Sequence, residues 1–550
     1  MASALVATVH AENSLLASER IYSASQGLQE RLAHSAALKA IANYHLLGQG
    51  QTLPINAHVE RRLGETEASY FLPSRESGVN DMYLHLGCTV SSYLVSRQRV
   101  SLAWAIMRVR HPLLASCVKM NSYEDIVFSY TAPKAFGEAI ESADRSLEYR
   151  LQSKDELIDS YLNGPRTLSN ERLSYLIVST TDRGDGVEKD YDFLICATHF
   201  LGDGMALHQF ANDFFSLLGS SADDALLKAN LLSELTVRCF EKEKGPTLPS
   251  CMEDRLPAPC TKGFSKAAAR VDFNESQERL IGGHNFPRAA SGPRKTVVPT
   301  ISIDNASTKQ ILANCKRHGV SISSALFAVC NVAWARTHST NWELPIMMYS
   351  ALNMRQNLLA DKRLNDSYWF LAIGYFNIIL PSFFPEEGDV SSRFWHRARL
   401  AKTQSTQAAK SPMAVSRCLE MAKERGRRAR VWAKEDDEKA AGTFVKPTPP
   451  TSSPAAPAPR RAKVPSNALI GLSLLGNLDG IYKHANFPDI KFHTLTTGSR
   501  QRAGGMLLFG YTFAGKLWVS FGYDANGFDK ETVERFWSNV QLAINEFLLN

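Results

Sequence analysis

The clearest alternation of apolar and polar positions lies over residues 191–218, YDFLICATHFLGDGMALHQFANDFFSLL. Residues 193–198 form a short, mostly apolar run with β-branched members, which predicts a buried strand. After Gly204, apolar residues recur at helical spacing (Met205, Leu207, Phe210, Phe214 and Leu217), which predicts a helix over 205–218. His199 and Asp203 stand between the two. A histidine therefore sits where a strand stops and a long helix begins, on a rigid support that exposes a reactive side chain.

The same reading extends along the chain. Residues 1–45 read as helix, and 51–80, with Pro54, Gly64, Pro73 and Gly78, as loop with a short strand. A helix is expected over 94–108, stopped by Pro112, and then a pair of strands over 113–120 and 126–129. Residues 134–160 have helical periodicity with many charges, a solvated face. A turn at Asn163-Gly164-Pro165 leads to a strand over 173–179, and the polar run 181–190 reads as the hairpin loop entering the strand at 193–198. A second helix is expected over 223–235. From 239 to 295 the pattern weakens and six prolines intervene, which marks a crossover between two domains. Beyond it come a strand over 297–303 interrupted by Pro299, and a helix over 306–318 capped by Asp304 or Asn305 and ended by Gly319. A nearly all-apolar core helix follows over 323–336, with strands over 344–350 and 376–380 and a long amphipathic helix over 391–425. Residues 443–465 carry seven prolines among alanine and serine, so a disordered excursion near 430–465 is expected. Strands over 468–474, 506–511 and 516–523 precede a last helix opened by Asp529. Mixed strands and helices in both parts predict an α/β fold of two halves, 1–238 and 296–550, joined by the crossover 239–295.

Composition adds bounds. A chain of 550 residues, 44% hydrophobic and 21% charged, has the length of two domains with sizeable cores. The net charge of +7 is concentrated: residues 420–465 hold 11 Lys and Arg against 6 Asp and Glu. The rest is nearly balanced, which argues against a nucleic-acid groove through the domains. The Arg425–Arg430 cluster is expected to be a solvated charge run, with contact to CoA phosphates as the functional alternative. Nine cysteines show no CxxC and no metal spacing, and are expected to be free thiols in a reducing compartment. The N-terminal stretch lacks a basic n-region and no run approaches 18 apolar residues, so neither a signal peptide nor a membrane span is expected. The expected setting is cytoplasmic.

For the chemistry, histidine is the side chain that takes up a proton near neutrality, as a base removing a proton from an alcohol or amine would need. Gly202 and Gly204 flank Asp203 and allow close approach of a ligand. Asp203 could orient His199 as in a triad, or it could point away and pair with a distant arginine. Spacing alone leaves both open. No GxSxG elbow, GxGxxG, Walker A or HExxH occurs, so covalent serine, nicotinamide, ATP and zinc chemistry have no motif behind them. His111, before a proline, and His208, on the following helix, read as packing residues.

The run Thr198-His199-Phe200-Leu201-Gly202-Asp203-Gly204 resembles the HxxxDG signature of the CoA-dependent acyltransferase superfamily, which includes chloramphenicol acetyltransferase, plant alcohol acyltransferases and condensation domains of peptide synthetases. Arg110-His111-Pro112-Leu113-Leu114, Asn353-Met354-Arg355 and Ser473-Leu474-Leu475-Gly476-Asn477-Leu478 resemble further elements of it, in order along the chain. The runs 366–370 (DSYWF) and 374–377 (GYFN) are most like fungal trichothecene 15-O-acetyltransferases. The resemblance implies two similar α/β domains of the chloramphenicol-acetyltransferase type with an active-site tunnel between them. It implies acetyl-CoA as co-substrate, no metal, and a small-molecule alcohol acceptor, an apolar secondary metabolite such as a trichothecene-like sesquiterpenoid. By resemblance, His199 is the general base, Asp203 a structural residue paired with Arg355, and Gly204 the residue that keeps the loop close to substrate. Tyr368, Trp369, Ser473 and Asn477 are candidates to line the substrate site. Condensation domains carry two adjacent histidines where this chain has Thr198-His199, a departure that points towards a small alcohol. The alternatives are a condensation-like or longer-chain acyltransferase with an amine acceptor or carrier-bound donor, and a non-catalytic binding module. No nucleic acid, no membrane span and a monomer complete the expectation.

Overall fold

The computed structural model describes residues 58–182, 184, 186–240, 246–258, 263–338, 340–359, 367–385, 388–446 and 464–550. The first half runs β1 (His58–Arg62), α1 (Glu65–Ser74), β2 (Met82–Ser91), α2 (Arg97–Arg110), β3 (Cys117–Met120), β4 (Ile126–Thr131), α3 (Phe136–Asp144), β5 (Leu147–Arg150), α4 (Lys154–Asn163), β6 (Ser174–Ser179), β7 (Glu188–Ala197), α5 (Gly204–Leu218) and α6 (Asp224–Leu235). The crossover holds a single turn, Met252–Arg255, and helix α7 (Gly263–Glu278). The second half runs β8 (Thr296–Val297), β9 (Thr300–Ile303), α8 (Asn305–Arg317), α9 (Ile322–Thr337), β10 (Ile346–Asn353), β11 (Ile373–Leu380), α10 (Val390–Lys410), α11 (Ala414–Ala440), β12 (Ala468–Asn477), β13 (Lys491–Ser499), β14 (Met506–Phe513), β15 (Lys516–Asp524) and α12 (Lys530–Ala543).

Two sheets organise the molecule, with a small third, β1-β4-β3, beside them. The first half's sheet has the order β13-β2-β7-β6-β5, the second half's β11-β10-β12-β14-β15-β8, with β9 also on β15. The inner part of β7, residues 193–197, is buried on both faces between β2 and β6, which explains its unbroken apolar sequence. Helix α9 is buried on almost every side, as its all-apolar surface requires. One core surrounds the seven-stranded sheet. A second packs on the five-stranded sheet and takes in Met354, Trp369, Phe370, Tyr482 and Tyr511 from the second half, and a smaller third joins Tyr83, Ile177 and Leu194 of that sheet to Leu157 and Tyr161 of α4. The halves therefore share apolar core at their junction, in a two-lobed α/β architecture.

Several expectations are corrected. Strand β13 pairs with β2 from Lys491↔Thr89 to Ser499↔Met82, so the second half lends a strand to the first and the two are not contiguous in sequence. The expected loop over 51–80 contains helix α1, whose residues from Thr66 to Leu72 are all buried; its tertiary packing overrides a weak local signal. The long helix expected over 391–425 is broken at Ser411-Pro412, because proline cannot donate to the helix ladder and restricts the residue before it. Its continuation, α11, runs to Ala440, so residues 430–440 are helical and not part of a disordered excursion. Residues 447–463 lie outside the described residues, as does the expected helix over 1–45. The expected helical stretch 134–160 is divided by β5.

The eight described cysteines are free. Among the described residues no single helix is long and apolar enough to cross a membrane.

Candidate active site

The turn between β7 and α5 presents His199. Thr198 N–H bonds the Leu173 carbonyl at 3.0 Å, closing the strand, and Leu201 N–H turns back to the Thr198 carbonyl at 3.1 Å. Phe200 is buried against Phe71 and Phe128, which pins the turn while its neighbour His199 remains half-buried. Asp203 then caps α5, its carboxylate accepting from Ala206 N–H at 3.1 Å.

Asp203 is held from the second half. Arg355 Nη1 lies 2.7 Å from one Asp203 oxygen and 2.9 Å from the other, and Ala372 N–H donates to the same carboxylate at 2.9 Å. The other end of the Arg355 fork bonds the Phe370 carbonyl at 2.8 Å. Of the two arrangements the spacing left open, the carboxylate takes the one that points away from the imidazole. Both flanking glycines are needed for the fit: a Cβ on Gly202 would come within 3.2 Å of the Trp369 ring nitrogen, and one on Gly204 within 3.1 Å of Leu475.

His199 is oriented by its own turn. Its Nδ1 sits 3.1 Å from the Gly202 carbonyl, which can only accept, so Nδ1 carries the proton of the neutral ring and Nε2 keeps its lone pair. The ring stacks on Tyr70 of α1, with centroids 4.3 Å apart. Burial lowers its pKa from the ordinary value, opposed by hydrogen bonding and by the Asp203 charge and reinforced by Arg425. The imidazole is thus kept neutral with a free Nε2, the state a general base needs.

Tyr70, which the sequence did not single out, and Tyr375 and Arg425, which it placed in other roles, complete the surroundings. The Tyr70 and Tyr375 hydroxyls hydrogen-bond each other. The Arg425 guanidinium lies over both rings, 5.2 Å from the Tyr70 centroid and 4.3 Å from that of Tyr375. Arg425 reaches this place because α11 packs closely on α1. Cys418, Ala422, Gly426, Ala429 and Ala433 form its buried stripe, and a Cβ on Gly426 would collide with Glu65. Of the expected solvated cluster, Arg427 and Arg428 are exposed and pair with Glu424, and Arg430 pairs with Glu65, while Arg425 turns inward. Tyr375 and Arg425 also line a cavity of about 210 Å³ between α7, β11 and α11.

The remaining predicted residues divide. On β12, Ile470, Leu472 and Leu474 face the second half's core, so Ser473 shares the opposite face with Leu475, the residue that meets Gly204. Asn477 is exposed at the strand end and accepts from the Thr512 hydroxyl at 3.3 Å. Trp369 is fully buried against Phe210, and Tyr368 donates its hydroxyl to Asp213 at 2.7 Å and leans on His111. Neither lines the cavity; both pack α5 and the Asp203 loop, a correction to their expected place in a substrate pocket. His111 and His208 are buried, and burial pushes both down to about 3. Among the described residues no group of three or more His, Cys, Asp and Glu is arranged to hold a metal ion.

The architecture matches solved structures over most of its length. It is similar to the TRI3 trichothecene 15-O-acetyltransferase from Fusarium sporotrichioides, at 13% identity and a TM-score of 0.68, over 90% of this chain and 96% of that one. It is similar to the epimerization domain from the third module of tyrocidine synthetase B, at 12% identity and a TM-score of 0.53, over 90% and 99%. The condensation domain of the Monacolin K polyketide synthase MokA matches at 12% identity and a TM-score of 0.51, over 90% and 98%. At these identities the likeness establishes the fold alone, the two-lobed α/β fold that this chain shares with these three structures. An epimerization domain among the matches shows that the fold alone does not fix the reaction. No family model matches the chain, and no curated protein matches it.

Proposed function

We propose that this protein is a thioester-dependent acyltransferase in which His199 is the general base. The observation that carries the reading is the donated Nδ1 proton to the Gly202 carbonyl, which leaves Nε2 as an acceptor at the junction of the two halves. In the proposed reaction Nε2 takes the proton of an acceptor hydroxyl or amine as that atom attacks the thioester carbonyl. The tetrahedral intermediate collapses with cleavage of the C–S bond, and the imidazolium returns the proton to the departing thiolate. Asp203 and Arg355 act as a brace that fixes the turn carrying His199. Ser473, on the β12 face that meets this turn, is a hydroxyl candidate to stabilise the oxyanion. A passage between the halves, admitting donor and acceptor from opposite sides, belongs to the same proposal.

Two readings of donor and acceptor follow. Transfer of acetyl from acetyl-CoA to the hydroxyl of an apolar metabolite, a trichothecene-like sesquiterpenoid with its C-15 hydroxyl included, is supported by Thr198 in place of a first histidine and by the likeness in fold to an O-acetyltransferase. A condensation-like reaction, with a carrier-bound donor or an amine acceptor, is supported by the likeness to domains of multimodular synthetases. The test is an acyl-transfer assay with acetyl-CoA, longer acyl-CoAs and carrier-bound acyl groups, each over a panel of alcohols and amines, repeated with His199→Ala. Turnover that depends on His199 is expected. Undiminished turnover in the variant, or none with any donor, would refute the reading.

A further inference from the structure

Two arginines line the cavity beside the candidate site, and they differ in one respect. Arg417 forms a two-pronged ion pair with Asp272, both bonds 2.7 Å. Arg425 has no carboxylate partner among the described residues. Its Nε donates a long hydrogen bond, 3.4 Å, to the Ser69 hydroxyl, and its guanidinium lies over the rings of Tyr70 and Tyr375. Glu65, across from α11, is held by Arg430, and one oxygen of Glu253 accepts from both donors of Thr66 while the other is buried without a hydrogen-bond partner among the described residues. A half-buried guanidinium that keeps most of its five donors free, on the wall of a cavity, bears a desolvation cost that a counter-anion would offset. Two aromatic rings against one guanidinium restrict its freedom, which favours two-pronged carboxylate recognition. The rest of the wall is mixed: Phe273, Leu280, Ile373 and Met421 offer apolar surface, and Ser276, Gln277 and Asn377 offer polar groups.

We infer that this cavity binds a substrate with an apolar body and a carboxylate, and that Arg425 is the residue that grips the carboxylate. Arg425 and His199 both lie against the Tyr70 ring. The CoA phosphates are separated from the thioester by the whole pantetheine arm, so a group this close to the base meets the reacting molecule itself. The carboxylate belongs either to the acceptor or to the far end of the acyl chain. As a statement about substrate class this rests on the acyltransfer reading, but the binding it asserts is measurable without turnover.

The experiment titrates the full chain with hexanoate, benzoate and 1-naphthoate, each beside its primary amide, by NMR or thermal shift. At least one carboxylate should bind the wild type at least tenfold more tightly than its amide. Arg425→Gln should lower that carboxylate affinity at least tenfold and leave the amide unchanged, Arg425→Lys should recover part of it, and Arg427→Gln, on the exposed face of α11, should change neither. No saturable binding of any carboxylate, or wild-type binding that does not distinguish acid from amide, overturns the inference whether or not the variants fold; so does carboxylate binding unaltered in folded Arg425→Gln. Turnover then identifies the source: hydroxy acids against their methyl esters with acetyl-CoA, and succinyl-CoA against butyryl-CoA with a neutral alcohol. Arg425-dependent binding without turnover in any arm would refute the acyltransferase reading and leave the carboxylate site standing.

Discussion

Two arginines from the second half reach the surroundings of one histidine in the first, and they are used in opposite ways. Arg355 commits its fork to the buried Asp203 carboxylate and the Phe370 carbonyl. Among the described residues Arg425 meets hydroxyls and ring faces but no carboxylate. A charge whose partner is built into the fold holds backbone in place, and its loss leaves that partner buried and uncompensated. A charge without such a partner contributes little to the fold and is free for an incoming group. Arg355 is read as a brace, Arg425 as a point of recognition.

The largest effect should come from the residue that both arginines surround. His199→Ala is expected to lower turnover by about 10²–10⁴-fold, the usual range for loss of a general base, with little change in melting temperature. Steady-state kinetics beside thermal unfolding checks both halves of that expectation. Arg355→Met should be the next most damaging, and unlike His199→Ala it should cost stability, about 3 kcal/mol for a buried pair broken from one side. Asp203→Asn in the Arg355→Met background should restore part of that stability, because no uncompensated carboxylate remains, while activity stays low because the turn is no longer held. Denaturant titration of the two single variants and the double variant measures the coupling. If Arg355→Met unfolds at the wild-type denaturant midpoint, the brace is not a brace. Arg425→Gln, by contrast, should move stability by less than about 1 kcal/mol, as for a charge without an ion-pair partner, and act chiefly on ligand affinity.

The turn that the brace holds was legible in local pattern, the Asp203–Arg355 pairing only through the family resemblance, and the inward turn of Arg425 not at all, for a physical reason. The turn 198–204 lies between a strand and a helix whose periods differ, so its position follows from local pattern, and the expected elements over 193–198 and 205–218 appear as β7 and α5 with small shifts in their bounds. Helix α9 and the hairpin β14–β15 were legible in the same way. Strand β13 was not: its alternation, Lys491, His493 and Thr494 among Phe492 and Leu495, suits a sheet edge, but nothing local tells that the edge belongs to β2, some four hundred residues earlier. Arg425 was hidden for a related reason. It sits among Arg427, Arg428 and Arg430 in a run of charge, and only the close approach of α11 to α1 at Gly426 turns this one side chain inward. Tyr368 and Trp369 erred the other way: aromatic residues beside a motif suggest a pocket, whereas burial places them in the packing that supports it.

The smallest expected effect separates the two arginines' neighbourhoods by sign. Burial holds the His199 pKa below its ordinary value, the Asp203 charge pulls it up and the Arg425 charge pushes it down. A base acts in its neutral form, so activity should be flat at neutral pH and fall as pH drops through the folded-state pKa, which lies below the value in the unfolded chain. Removing the carboxylate with Asp203→Asn takes away an influence that favours the imidazolium, and the acid limb should move to lower pH. Removing the cation with Arg425→Gln takes away one that disfavours it, and the limb should move to higher pH. The second shift should be the smaller, since Arg425 is the weaker of the two influences. NMR titration of the His199 ring reads both shifts without turnover. Opposite displacements would show that each charge is felt at the imidazole from its own side; displacement in the same direction would remove the electrostatic distinction between the brace and the recognition point, whatever their effects on binding and stability.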